Sequence, residues 1–128
     1  MKRIDLHADG PASVDAAWEA YTRVDRWRDW SPHMPPVEAD ATAIRPCMKG
    51  RWRLGPVTIG RFVIIDVDAA ARSWSWRVSA LGLTTTGEHR VEAHRDGCRC
   101  HMAMDLPPIV AQAYRPVAWW ALRRLART

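Results

Sequence analysis

The chain has 128 residues, 48% hydrophobic and 26% charged, enough for one domain (1–128) with a real core and too little for two. Its net charge of +5 permits contact with anionic surfaces, but the excess is scattered arginine beside only two lysines, so nucleic acid is not an expected partner. Cys47, Cys98 and Cys100 have neither disulfide-framework nor zinc-ligand spacing, and no glycine-rich phosphate loop is present. No metal or cofactor is therefore expected.

In chain order, Ile4, Leu6 and Ala8 alternate with Arg3, Asp5, His7 and Asp9, the pattern of a half-buried strand broken by Gly10-Pro11. Met1-Lys2-Arg3 leads straight into that strand rather than into an apolar run, which fits a cytoplasmic protein with reduced thiols. Ser13 suits an N-cap for a short helix facing inward with Val14, Ala17, Trp18 and Tyr21. A second short helix holds Trp27 and Trp30 on one face and is closed by Ser31-Pro32.

Strands are predicted at 37–42 and 50–54, the second turning at Gly55-Pro56. The next, 57–68, is predicted to face inward with Val57, Ile59, Val63, Ile65 and Val67. Strand 73–81 alternates Trp74, Trp76, Val78 and Ala80 with Ser73, Ser75, Arg77 and Ser79. Strand 83–95 presents Thr85, Gly87, His89 and Val91 on one face, and Asp96-Gly97 is a hairpin turn. Cys98, Cys100, Met102 and Met104 share a face of the last strand.

Pro107 and Pro108 open a long helix whose apolar residues Ile109, Val110, Ala113, Tyr114, Val117, Trp120, Ala121 and Leu125 recur at helical spacing, with Pro116 as an expected kink. Its apolar face has only the sheet to pack on. The expected architecture is α+β: a curved antiparallel sheet of about seven strands around a C-terminal helix, with two short helices after the first strand.

The wording of several segments is similar to the START-related superfamily of polyketide cyclases, lipid-transfer proteins and pollen allergens (SRPBCC). Ala12-Ser13-Val14-Asp15-Ala16-Ala17-Trp18 resembles that family's entry into its first helix. Asp25, Trp27, Trp30 and Pro32 resemble its aspartate, tryptophan and tryptophan-x-proline signature. Met48-Lys49-Gly50-Arg51-Trp52, the run from Asp66-Val67-Asp68 to Trp74-Ser75-Trp76, and His89 with Asp96-Gly97 resemble later strands and turns. The resemblance implies the helix-grip fold and a cavity for a small hydrophobic, polyketide-like or lipid-like ligand, on a scaffold that serves binders and enzymes alike.

In that arrangement the ligand-binding candidates are Trp27, Trp30, Trp52, Ile59, Val63, Trp74, Trp76, Thr85, Cys100, Met102 and Val117. Trp27 and Trp30, with Met34, are expected at the mouth. The eight tryptophans could instead fill the space between sheet and helix. His89, on an inward face, is the candidate acid or base of a cyclase or dehydratase, or else a hydrogen-bonded core histidine. Arg61, in phase with Ile59 and Val63, is a candidate oxyanion partner unless a bulge near Gly60 turns it outward. Tyr114 is a candidate donor to a ligand carbonyl, or else a tyrosine that anchors the helix on the sheet. Trp119 with Arg123, Arg124 and Arg127 offers a peripheral membrane, partner or dimer contact at the helix end, unless Trp119 packs against a loop. A monomer and a homodimer are equally compatible with this surface.

Overall fold

The computed structural model describes residues 1–128. Seven antiparallel strands form one sheet in the order β1-β7-β6-β5-β4-β3-β2. They are β1 (Lys2–Gly10), β2 (Val37–Ala39), β3 (Lys49–Leu54), β4 (Val57–Asp68), β5 (Ser73–Ala80), β6 (Leu83–His94) and β7 (Gly97–Leu106). Between β1 and β2 lie α1 (Val14–Thr22), a 3₁₀ turn (Val24–Arg26) and α2 (Trp27–Trp30). The chain ends in α3 (Pro108–Leu125), packed against β1 and β7. This is the helix-grip fold. No helix is long and apolar enough to cross a membrane.

Local chemistry sets the element boundaries. The Ser13 hydroxyl accepts from the Ala16 N–H at 3.1 Å and caps α1. Pro108 opens α3, where a missing N–H leaves no intrahelical bond unmade, and the helix runs on through Pro116. The β5–β6 hairpin turns on Leu81 and Gly82, both with positive φ (52° and 77°), as a two-residue loop of matching twist requires. The β6–β7 loop is Arg95-Asp96, one residue earlier than the Asp-Gly signal suggests, because Gly97 already pairs with His94.

The phase of β4 differs from the expectation. Phe62 and Ile64 are its buried residues, with Gly60, whereas Val57 and Ile65 are exposed. Ile59 and Ile65 are the extra residues of two β-bulges: Trp52 and Arg53 pair with Gly60 and Thr58, and Trp76 and Ser75 with Ile64 and Asp66. Each bulge shifts the alternation, so the inward set changes phase within one strand. Gly50 pairs with Phe62 and leaves the space that the phenyl ring occupies.

The inward face of α3 is also rotated from the expected one. Ala111, Ala118, Ala121, Leu122 and Leu125 are buried, while Ile109 is exposed and Trp120 is 43% exposed. Small alanines let the helix lie close to the sheet. The bulky residues of the periodic stripe fall at its edges.

Candidate functional site

A pocket of about 330 Å³ lies between the concave face of the sheet and α3, within the size range of small-molecule sites. The sheet contributes Trp52, Trp74, Trp76, Val78, His89, Met102, Met104 and Leu106. Tyr21, Trp27, Trp30 and the segment Ser31, His33, Met34 and Pro35 close it from the α1–α2 side. Val110, Tyr114, Ala118, Ala121 and Leu122 line it from α3. No lysine, arginine, aspartate or glutamate is among the lining residues, so the pocket has no fixed charge to hold an ion.

The strict alternation of β5 is what puts two indoles here. Trp74 stands opposite His89 and Trp76 opposite Gly87 on β6. A Cβ at Gly87 would come within 2.6 Å of Trp76 Nε1, so the glycine is required for the indole to lie against β6. Trp74 stacks on the His89 ring at 3.9 Å between centroids, and Trp27 stacks on Trp74 at 5.9 Å. Trp76 meets Trp52, Trp74 and Trp27 edge to face at 5.2–5.6 Å.

His89 is buried at the inner end of the pocket and its Nδ1 lies 3.0 Å from the Tyr21 hydroxyl. That hydroxyl donates to the His101 carbonyl at 2.7 Å. A carbonyl only accepts, so the Tyr21 proton is committed there and His89 Nδ1–H donates to the tyrosine oxygen. Burial among aromatic rings pushes the His89 pKa down to about 3. The ring is therefore neutral at ordinary pH, with its Nε2 lone pair free, and it is poorly suited to deliver a proton to a substrate. Burial raises the pKa of Tyr114 and lowers that of His33. Both are neutral groups on the helix side and at the loop.

The structure brings together Trp27, Trp30, Trp52, Trp74, Trp76, His89, Met102 and Tyr114 around this pocket. Trp27 and Trp30 do not form the mouth: they are 1% and 8% exposed, part of the buried wall, with His33, Met34 and Pro35 beside them. Arg61 and Val63 are not in the site. The bulge at Ile59 puts both on the convex face, where Arg61 is exposed between Arg51 and Ser79. Ile59 packs on the core without lining the pocket.

Thr85 is inward but stands outside the pocket, its hydroxyl donating to the Asp105 carbonyl at 2.6 Å. Val117 is half-buried at the edge of α3, where Ala118 takes the place expected for it. Cys100 lies beyond the pocket, its Sγ 4.0 Å from that of Cys98, which contacts the Ala126 carbonyl. Burial pushes the Cys100 thiol up, away from the thiolate a nucleophile needs. Tyr21, Ser31, His33 and Leu122 are pocket residues that sequence reasoning did not select. Of these only Tyr21, inward at helical spacing from Ala17, carried a readable signal.

The sequence matches the family described as "Polyketide cyclase / dehydrase and lipid transport" over residues 1–128, and the chain belongs to that family. No curated protein matches it. Among solved structures it is similar to Ara h 8.0201, with 13% identity, a TM-score of 0.72, and coverage of 98% of this chain and 94% of that one. Norcoclaurine synthase from Thalictrum flavum matches at 16% identity and a TM-score of 0.64, covering 97% of this chain and 84% of the enzyme. DynU16, from the dynemicin biosynthetic locus, matches at 18% identity and a TM-score of 0.74 over 98% of this chain but 46% of its own. At these identities the likeness establishes a shared fold and nothing finer.

Proposed function

We propose that the protein binds a small hydrophobic or aromatic molecule in the pocket between sheet and α3. The observation that carries this reading is the pocket itself: about 330 Å³, with 16 of its 20 lining residues hydrophobic and indole rings forming most of the sheet side. Aromatic walls of this kind match flat, apolar ring systems and acyl chains by shape. The neutral His89 gives more support to a binding role than to acid–base turnover at ordinary pH. Mass spectrometry of the purified protein for co-purifying small molecules, followed by titration of aromatic and acyl ligands against tryptophan fluorescence, tests it. Saturable quenching by one chemical class is the expected result. Indifference to every class would overturn the reading.

A second reading, loading of the pocket at a lipid surface, has support at one end of the sheet. The register places the β3–β4 turn, the β5–β6 turn and the β7–α3 connection along the same edge. Leu54, Val57, Leu81 and Ile109 are 58–93% exposed there. Trp119 and Trp120, with Arg123 and Arg124 stacked over their rings, are a weaker candidate for that contact. Co-sedimentation with phosphatidylcholine–phosphatidylserine vesicles, lost in Leu81→Asp and retained in Trp119→Ala, is the expected outcome. No co-sedimentation of the parent protein would dispose of it.

A further inference from the structure

We infer that the inner end of the pocket selects a neutral hydroxyl (a phenol, enol or alcohol) carried on an apolar body, because His89 and Trp76 there present one acceptor and one donor side by side. The inference rests on the pocket-binding reading and names the class of ligand.

Four ring nitrogens are buried at this site without any partner in the protein: Nε1 of Trp52, Trp74 and Trp76, and Nε2 of His89. His89 and Trp76 are only 7% and 9% exposed. Buried polar atoms are nearly always paired, so a cluster of four marks a place where a ligand supplies the missing groups.

The polarity of the pair follows from the hydrogen bonds around it. Tyr21 spends its proton on the His101 carbonyl at 2.7 Å, so the 3.0 Å contact to His89 has Nδ1–H as donor. A neutral imidazole protonated at Nδ1 carries its lone pair at Nε2, which can only accept. The Trp76 indole N–H can only donate. Both atoms stand over Gly87, 3.5 Å and 2.6 Å from the point where a Cβ on that residue would lie.

A hydroxyl meets both demands through a single oxygen. It gives its hydrogen to Nε2 and takes the indole N–H on that oxygen. A ketone or ether answers Trp76 and leaves Nε2 bare, and a hydrocarbon answers neither. A carboxylate has no hydrogen for Nε2 and finds no lysine or arginine among the lining residues. An ammonium finds no aspartate or glutamate there.

Equilibrium dialysis at pH 7 with four probes on one ring system tests this: 2-naphthol, 2-methoxynaphthalene, naphthalene and 2-naphthoate. 2-Naphthol is expected to bind roughly tenfold or more tighter than its methyl ether and naphthalene, with 2-naphthoate the weakest. His89→Phe and Trp76→Phe each keep a flat ring and remove one of the two groups. In either variant the preference for 2-naphthol over naphthalene is expected to fall from tenfold or more to within about twofold. Should one variant fail to fold, the other decides the matter alone. Equal binding of 2-naphthol and naphthalene by the parent, or a hydroxyl preference surviving in the folded variants, overturns the inference and leaves the pocket reading intact. Failure of all four probes to bind overturns the inference, and the pocket reading falls with it only when the acyl ligands fail as well.

Discussion

Five tryptophans surround the pocket, and they divide by where the indole N–H goes. Trp27 and Trp30, on the helical side, donate to the backbone carbonyls of Tyr21 and Ala20 at 2.9 and 3.0 Å. Trp52, Trp74 and Trp76, on the sheet side, donate to nothing in the protein. The two groups have similar burial and touch one another, so area alone does not separate them. The hydrogen bond does: the first pair fastens α2 to the end of α1, and the three on the sheet keep their polar edge for something else. Trp27 illustrates the first role, buried to 1% and stacked on Trp74 while its N–H reaches back to Tyr21.

The sharpest way to break this comparison is a pair of matched truncations. Trp27→Ala removes a fully buried ring and is expected to cost about 3–5 kcal/mol. Trp27→Phe, which strips the Tyr21 carbonyl of its partner, is expected to cost about 1–3 kcal/mol. Trp76→Phe strands no protein atom and is expected to cost under about 1 kcal/mol. Urea denaturation followed by far-ultraviolet circular dichroism reads all three. Equal losses in the two phenylalanine variants would erase the distinction between fastening and facing tryptophans.

Gly87→Ala probes the sheet side from the backbone. Its Cβ would meet Trp76 Nε1 at 2.6 Å, so the indole has to move off β6. An overpacking cost of about 1–3 kcal/mol is expected, together with loss of any preference for a hydroxyl-bearing ligand. Thermal melting and the dialysis series measure the two effects separately. A variant as stable and selective as the parent would mean that Trp76 does not depend on that close approach.

The protonation of His89 makes the same comparison through pH. Its folded pKa is depressed to about 3, against about 6.5 for an unfolded histidine. Between these values the unfolded chain binds a proton that the folded chain refuses, so stability is full above about pH 6.5 and falls on acidification through that window. The slope for one group is at most about 1.4 kcal/mol per pH unit. His33, partly buried and shifted the same way, adds a smaller contribution. Between pH 6.5 and 5 the melting temperature of the parent is expected to drop, and that of His89→Phe to drop less. Parallel curves would show that His89 is not held neutral in the folded state.

Much of this was legible in the sequence, for identifiable reasons. Where polar and apolar residues alternate cleanly, as in β5, the inward face followed directly and brought Trp74 and Trp76 to the pocket. In β4 both faces carry β-branched residues, so alternation does not choose between Ile59–Val63–Ile65 and Phe62–Ile64. The choice is made by two bulges, which depend on how β3 and β5 pair with the strand; Gly60 marks the first, and nothing local marks the second. In α3 three of the five buried residues are alanines, whose weak hydrophobic signal was outvoted by Ile109, Val117 and Trp120 at the edges. The Tyr21–His89–His101 chain joins residues 68 and 80 positions apart, beyond the reach of any spacing rule.

The smallest expected effect tests the convex face against the concave one. Arg61 lies on β4 directly opposite Arg51 and Ser79, and its side chain is exposed. Arg51 and Arg53 share Glu38, with N–O distances of 2.8 and 2.7 Å, and Arg61 has no such acid. Like charges across a strand pair repel, so Arg61→Ala is expected to change stability by no more than about 0.5 kcal/mol, with any change favourable. Ligand affinity is expected to stay within about twofold, since no atom of Arg61 borders the pocket. A tenfold loss of affinity in a stably folded Arg61→Ala protein would require the guanidinium to reach the ligand. That is possible only if β4 runs in the opposite phase, with Phe62 and Ile64 turned out to solvent, and the core around Trp27 and Trp52 leaves no room for that rearrangement.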